Sequence, residues 1–193
     1  MYPPFQRKLR LAQGLDVKSM NERTFNVLFL CTGNSARSII AEALLNAEGG
    51  GRFNAYSAGS RPSGSLNPLV MEFLEANGIP ARGARSKSWD EFARREAPRM
   101  DLVVTVCDQA AGEACPLWPG QPALAHWGAP DPAASMDEPA IAKRVIREVF
   151  DSMQRRIALL TSLPVETLDH ASLQREARDI AVRTEPAHST RWG

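Results

Sequence analysis

The sequence predicts an α/β domain on a parallel sheet, and three observations carry that expectation. Short, almost continuously apolar runs such as Val27-Leu28-Phe29-Leu30 and Leu102-Val103-Val104 have the composition of strands buried on both faces. They alternate with stretches of helical periodicity, the pattern of βαβ crossovers. The length of 193 residues suits one domain with a modest extension.

Residues Met1 to Thr24 show neither clean periodicity nor a hydrophobic face and read as a loose tail. Met20 stands just before the first strand and could be the true start. The first strand is expected from Asn26 to Leu30, followed by a loop of small residues, Thr32 to Ala36. A helix is expected from Ser38 to Glu48, with Ile39, Ile40, Ala43, Leu44 and Ala47 at helical spacing and Gly49-Gly50-Gly51 ending it. Phe53 to Ala58 reads as a second strand and Gly59 to Gly64 as a loop. Asn67 to Asn77 reads as a helix capped by Gly78, and Trp89 to Ala97 as a shorter one. Asp101 to Val106 is the clearest strand. Gln109 to Pro122 reads as a long loop, and Ala123 to Trp127 as a short fourth strand. Pro130 and Pro132 break the chain before a long helix, Asp137 to Leu160, whose stripe is Ile141, Val145, Val149, Met153, Ile157 and Leu160. Arg144, Arg147, Arg155 and Arg156 read as its solvated face. Leu168 to Val182 is weakly amphipathic, an appended helix, and the chain from Arg183 reads as loose.

Composition excludes several classes. Lys and Arg number 23 against 22 Asp and Glu, so no bulk field favours nucleic acid or a membrane surface. No apolar run is long enough to span a bilayer. The N-terminus has no apolar h-region, so no signal peptide is expected. Three cysteines make an odd count, which argues against a secreted disulfide framework and for a reducing cytoplasm. Three histidines without ligand spacing argue against zinc. His126 reads as a hydrogen-bonding or packing residue and Trp127 as core.

In sheets of this kind ligands bind beyond the carboxyl ends of the strands. That rule selects the loops after Leu30, Val106 and Trp127. The first reads Cys31-Thr32-Gly33-Asn34-Ser35-Ala36-Arg37-Ser38 and lies between a strand and a helix N-terminus. Backbone N–H groups converge there and the helix dipole adds positive potential, so Cys31 is expected to lose its proton easily. Arg37 offers a planar fork to a tetrahedral oxyanion. Gly33 permits close backbone approach, and Asn34 tolerates a left-handed conformation. A cysteine followed six residues later by an arginine arises easily by chance, and a buried cysteine at a strand end is commonly inert. The position at a strand–loop–helix switch gives the pattern its weight. The second place holds Cys107 and Cys115, whose bland reading is core packing and incident. The third holds Asp131, which could protonate a departing oxygen or serve as ordinary turn chemistry.

The run Val-Leu-Phe-Leu-Cys-Thr-Gly-Asn-Ser-Ala-Arg-Ser, with Cys-x5-Arg-Ser after the first strand, resembles the low-molecular-weight protein tyrosine phosphatase superfamily. It is similar to the thioredoxin-coupled arsenate reductase branch in particular. The likeness runs from Phe25 to Leu163. It takes in Ser57-Ala58-Gly59, Val104-Thr105-Val106-Cys107-Asp108, Ala114-Cys115-Pro116 and His126-Trp127-Gly128-Ala129-Pro130-Asp131-Pro132. It implies a flavodoxin-like, four-stranded parallel sheet with helices on both faces, over residues 25–163. Residues 1–24 would then be a flexible tail and 164–193 a partly helical extension, both outside the likeness.

The resemblance also implies an activity. Arsenate would sit in the cradle Thr32, Gly33, Asn34, Ser35, Ala36, Arg37 and Ser38, with phosphate or sulfate as competing anions. Cys31 would be the nucleophile and Asp131 the acid, with Cys107 and Cys115 passing a disulfide outward. Thioredoxin is the expected reductant, with glutathione–glutaredoxin or mycothiol as other thiol donors, and no organic cofactor is implied. Some relatives bind potassium beneath the cradle, and Asn34, Glu42, Ser57 and Asp90 resemble that set. The alternative is a phosphatase acting on phosphotyrosine or small phosphoesters through the same Cys31, Arg37 and Asp131. Phosphatases of the superfamily carry aromatic residues after Asp-Pro, where this chain has Ala133-Ala134-Ser135, a smaller wall that suits an inorganic oxyanion.

Overall fold

A computed structural model describes residues 23–135 and 137–185. Most of the expected N-terminal tail, Met20 included, and the chain beyond residue 185 lie outside the described residues. Four strands pair in parallel: β1 (Phe25–Cys31), β2 (Phe53–Gly59), β3 (Leu102–Thr105) and β4 (Ala123–His126), in the order β2-β1-β3-β4. The order reverses direction between β1 and β3. That switch point is where an open parallel sheet leaves a crevice at its carboxyl end.

The helices are α1 (Arg37–Glu48), α2 (Pro68–Ala76), α3 (Asp90–Ala93), α4 (Asp108–Gly112), α5 (Pro139–Ser162) and α6 (His170–Thr184). A 3-10 turn covers Pro132–Ser135. Strand alternation sends Val27, Phe29 and Cys31 to the face packed by α1, α2, α5 and α6, and Leu28 and Leu30 to the other. The larger face centres on Phe29 and Trp127, fully buried with ring centroids 6.0 Å apart. Truncating a ring such as Phe29 costs about 3–5 kcal/mol.

The second face is thinner than expected. It is covered by Phe92 of α3, by Met100 and by Trp118, which meets Trp89 edge-on at 6.5 Å. The helix expected from Trp89 to Ala97 is only four residues long. Phe92 is its one buried residue, and Arg94 is already extended at ψ 152. With charged, exposed residues at 94–96, no apolar stripe continues the helix.

Four further differences have clear causes. The long helix starts at Pro139 rather than Asp137, because proline suits the first helical position. Its buried stripe begins at Ala142 and Ile146, with Ile141 and Val145 only partly covered. Within the loop expected from Gln109 to Pro122, α4 forms behind Cys107, whose Sγ caps it by accepting from Ala110 N–H at 3.4 Å. Finally, α6 is not peripheral. Leu173, Ala177 and Ile180 join the main core, and the Ala177 carbonyl accepts from the Trp127 indole N–H at 2.8 Å.

Arg156 corrects the solvated reading of α5. It is 4% exposed and donates to the carbonyls of Trp127 and Gly128, both at 3.0 Å, and to Thr184 Oγ1 at 3.1 Å. Burial pushes its guanidinium down to about 10. Periodicity could not separate it from Arg155, because a long cationic side chain at a stripe's edge can turn either way.

Candidate active site

The chain leaves β1 at Cys31 and enters α1 at Arg37, and the intervening loop is fixed from outside. The carbonyls of Thr32, Gly33 and Ser35 accept from the N–H groups of Arg61, Ser63 and Asn67 at 3.0, 2.9 and 3.0 Å. Ser86 Oγ also donates to the Gly33 carbonyl at 3.2 Å. With its carbonyls held outward, the loop keeps its N–H groups for the interior. No side chain caps α1, so its first N–H groups are open to an anion.

Cys31 is 3% exposed. Its Sγ accepts from Asn34 N–H at 3.1 Å and shares a hydrogen bond with Ser38 Oγ at 2.9 Å. Asn34 adopts the left-handed conformation its residue type allows, with φ 44. Burial pushes the Cys31 thiol up, and it outweighs Ser38, the Arg37 charge and the Asn34 N–H, which all pull it down. This reverses the expected easy deprotonation. The dipoles of the cradle are present, but the thiol they act on is shut away from water.

Arg37 reaches over the loop. Its guanidinium donates to Asp131 Oδ2 at 2.8 Å and to the Ala129 carbonyl at 3.3 Å. The third loop therefore meets the first. Asp131 Oδ1 also accepts from Ala133 N–H at 3.0 Å, which starts the 3-10 turn.

The second loop meets the first through Thr32. Its Oγ1 lies 3.6 Å from Cys107 Sγ and donates to Gln109 Oε1 at 3.4 Å. Cys107 is 2% exposed, whereas Cys115 is exposed, and all three cysteines are free. Cys31 and Cys107 follow neighbouring strands at the switch point, as their strand-end positions require. Cys115 lies beyond α4, in a loop tethered by an Arg61–Glu113 ion pair at 2.9 Å. Partial burial and the Glu113 carboxylate push the Cys115 thiol up. His126 bridges Thr105 Oγ1 at 2.8 Å and Asp108 Oδ1 at 2.9 Å, a hydrogen-bonding role at the base of α4.

Of the residues expected to hold potassium, three come together and one does not. Asn34 Nδ2 donates to Ser57 Oγ at 2.9 Å, and the Ser57 hydroxyl donates to Glu42. Asp90 is exposed and accepts from Ser88 Oγ at 3.0 Å. A lysine is present instead. The Lys87 ammonium stands 3.7 Å from Glu42 Oε2, with side chains 8% and 16% exposed. Burial pushes the Glu42 carboxyl up and the Lys87 ammonium down, each opposed by the other's charge. As they stand, these residues do not fit a potassium ion. Among the described residues no cluster of three or more His, Cys, Asp or Glu could hold a metal.

Two contributors escaped the sequence reading. One is Lys87. The other is Gly59, where a Cβ would lie 2.4 Å from the Thr32 carbonyl oxygen and 3.0 Å from Asn34 Cβ. Gly33, expected to permit close backbone approach, would place a Cβ 3.6 Å from Ser35 Oγ, an ordinary contact. The end of β2 is where the backbones crowd, and its signal was the small-residue run Ser57-Ala58-Gly59.

A parallel sheet with a cysteine-and-arginine anion loop after β1 and an Asp-Pro after β4 defines a class of cysteine-nucleophile enzymes. Over residues 26–177 the chain matches the family described as low molecular weight phosphotyrosine protein phosphatase, and it belongs to that family. The match takes in about half of α6, beyond the Leu163 limit of the sequence likeness.

An arsenate reductase of Halalkalibacterium halodurans is 36% identical over 138 residues, covering 72% of this chain and 94% of the relative. An arsenate reductase of Bacillus subtilis is 34% identical over 131 residues, covering 68% and 91%. An arsenate reductase structure from Archaeoglobus fulgidus superposes with a TM-score of 0.53 at 29% identity, over 68% of this chain and 98% of that one. Among the described residues, no helix is long and apolar enough to cross a membrane.

Proposed function

We propose that this chain reduces arsenate to arsenite. The observation that carries the reading is the graded series of three free thiols. Cys31 is buried in the anion loop, Cys107 is buried beside Thr32 at the next strand end, and Cys115 is exposed beyond it. The curated relatives named as arsenate reductases support it. A phosphatase needs only the first thiol.

In the proposed sequence, arsenate binds the open N–H groups of the loop and α1 and draws the Arg37 guanidinium from Asp131. The Cys31 thiol gives its proton to the freed Asp131 carboxylate, the sulfur attacks arsenic, an As–O bond breaks, and Asp131 passes that proton to the departing oxygen, which leaves as water. Cys107 thiolate then attacks Cys31 Sγ. An S–S bond forms, the S–As bond breaks, and its electron pair stays on arsenic, which leaves as arsenite. The two electrons come from the two thiols. Cys115 thiolate attacks Cys107 Sγ and releases Cys31 as thiolate, so the disulfide ends as Cys107–Cys115. An external thiol donor restores the pair by supplying two thiols per disulfide, thioredoxin before glutathione–glutaredoxin or mycothiol. Such chemistry belongs in a reducing compartment, the cytoplasm.

Arsenate turnover run with thiol titration and beside a phosphoester assay tests the reading. Loss of two thiols per arsenite released is expected. Phosphate release with no thiol lost would replace the reductase by a phosphatase. Running the turnover separately with thioredoxin and with glutathione–glutaredoxin identifies the reductant.

A further inference from the structure

We infer that Lys87 takes the place of an alkali cation in this chain, holding Glu42 and, through Ser57 and Asn34, positioning Cys31, so that the site needs no added potassium. Each of the four residues that could ligate an ion already has an oxygen engaged. The Ser57 hydroxyl donates to Glu42, and Asn34 Oδ1 accepts from Lys87 N–H at 2.8 Å. Asp90 is held by Ser88.

A carboxylate as buried as Glu42 must be paired, and the partner present is an ammonium. Lys87 is pinned at both ends. Its N–H fixes the Asn34 side chain, while its Nζ faces Glu42 and donates to the Arg85 carbonyl at 3.2 Å. The Lys87 carbonyl accepts from Gly59 N–H at 2.9 Å, which ties the segment to the crowded end of β2.

From Glu42 the order passes inward. Asn34 Nδ2 donates to Ser57 Oγ at 2.9 Å and to Ser38 Oγ at 3.0 Å. Asn34 N–H and Ser38 Oγ both contact Cys31 Sγ, and the Ser38 backbone N–H also acts on it. Asn34, Ser38 and Ser57 are all fully buried, so this chain of contacts has no water to relax into. Lys87 is thus a positioning residue acting through Asn34. The inference rests on Cys31 being the nucleophile and not on which oxyanion it attacks.

The test uses no oxyanion, so its failure is separable from failure of the proposed activity. In the full chain carrying Cys107→Ser and Cys115→Ser, two quantities are measured in potassium chloride and in tetramethylammonium chloride at equal ionic strength. They are the thermal unfolding midpoint and the rate at which iodoacetamide alkylates Cys31. The parent should be indifferent to the salt. Lys87→Ala should alkylate about tenfold more slowly, the equivalent of about one pKa unit at Cys31, and unfold at lower temperature. Potassium should restore both, because the truncation opens room for an ion. Lys87→Met, which removes the charge but fills the space, should be impaired and indifferent to potassium.

A potassium-specific rise in the parent's midpoint would overturn the inference, and so would parental alkylation in Lys87→Ala. Rescue of both variants alike would put the effect elsewhere and overturn it too. If neither variant folds, the parent's response decides alone: indifference supports the inference and a potassium-specific rise overturns it.

Discussion

Arg37 and Asp131 hold each other at 2.8 Å across the mouth of the anion loop, the first side chain 12% exposed and the second 43%. The clamp and the acid of the proposed reaction are therefore one ion pair before any anion binds. An oxyanion on the guanidinium competes with the carboxylate, and displacing it leaves Asp131 beside the oxygen that must depart.

Asp131→Asn should separate binding from chemistry. A pair this exposed is worth roughly 0.2–1 kcal/mol, so phosphate should bind up to about fivefold more tightly by calorimetric titration. The first chemical step, followed as arsenite release in a single turnover, should slow by roughly a hundredfold or more through loss of the acid. Weaker phosphate binding with unchanged arsenite release would remove Asp131 from the mechanism.

The pH behaviour of Cys31 follows from its burial. The folded site favours the neutral thiol, so the reactive thiolate accumulates only at higher pH than in an unfolded cysteine. With Cys107 and Cys115 replaced by serine, iodoacetamide labelling of Cys31 should rise with pH and inflect above the ordinary thiol value. Arg37→Gln should move the inflection higher still, because the guanidinium charge pulls it down. An inflection below the ordinary value would mean that the loop dipoles outweigh desolvation.

The two relay cysteines should stop the reaction at different points. Cys107→Ser should hold an arsenic adduct on Cys31 with no internal disulfide. Cys115→Ser should complete one turnover and stay trapped as Cys31–Cys107. Intact-mass measurement after arsenate exposure distinguishes them, and sustained turnover of Cys115→Ser with thioredoxin would refute the relay.

Helix α4 should unwind when Cys115 bonds to Cys107. The thiols are separated by the five residues of α4 and by Glu113 and Ala114, and a disulfide requires Cα atoms about 4.4–6.8 Å apart. Only Ala110 of α4 is buried, so little apolar contact opposes unwinding. Amide exchange of residues 108–122 should change between reduced and arsenate-oxidised protein while β3 stays protected. Identical protection would point to an external thiol as the resolving agent.

Gly59→Ala should damage the loop while sparing the sheet. The added methyl would sit 2.4 Å from the Thr32 carbonyl, and overpacking of this kind costs about 1–3 kcal/mol. Lower thermal stability and lost phosphate binding with an unchanged far-ultraviolet spectrum are expected. Parental phosphate affinity would show that the loop does not depend on that close approach.

The parallel sheet and the positions of Cys31, Arg37, Cys107 and Asp131 were legible in the sequence because they follow local rules. A strand buried on both faces must be continuously apolar, and in such a sheet chemistry collects at carboxyl ends. Those rules operate within a few residues, so pattern alone located the anion loop and both strand-end thiols. They weakened at element ends, where single side chains decide whether a helix stops or starts. The charged residues after Phe92 ended α3 early, and Cys107 nucleated α4 inside an expected loop.

What only the tertiary structure decided was the pairing of charges and the crowding of backbones. Arg37 and Asp131 are far apart in the chain, and nothing local foretold that they neutralise each other. Arg156 read as a solvated cation and Lys87 carried no signal of its own until the fold buried Lys87 against Glu42 and Arg156 against the carbonyls of Trp127 and Gly128. The direction of the Cys31 shift depended in the same way on how completely α1 and its neighbours exclude water. Sequence periodicity records which side chains are apolar. The electrostatics of a site depend instead on distance and solvent access, which exist only once remote segments meet.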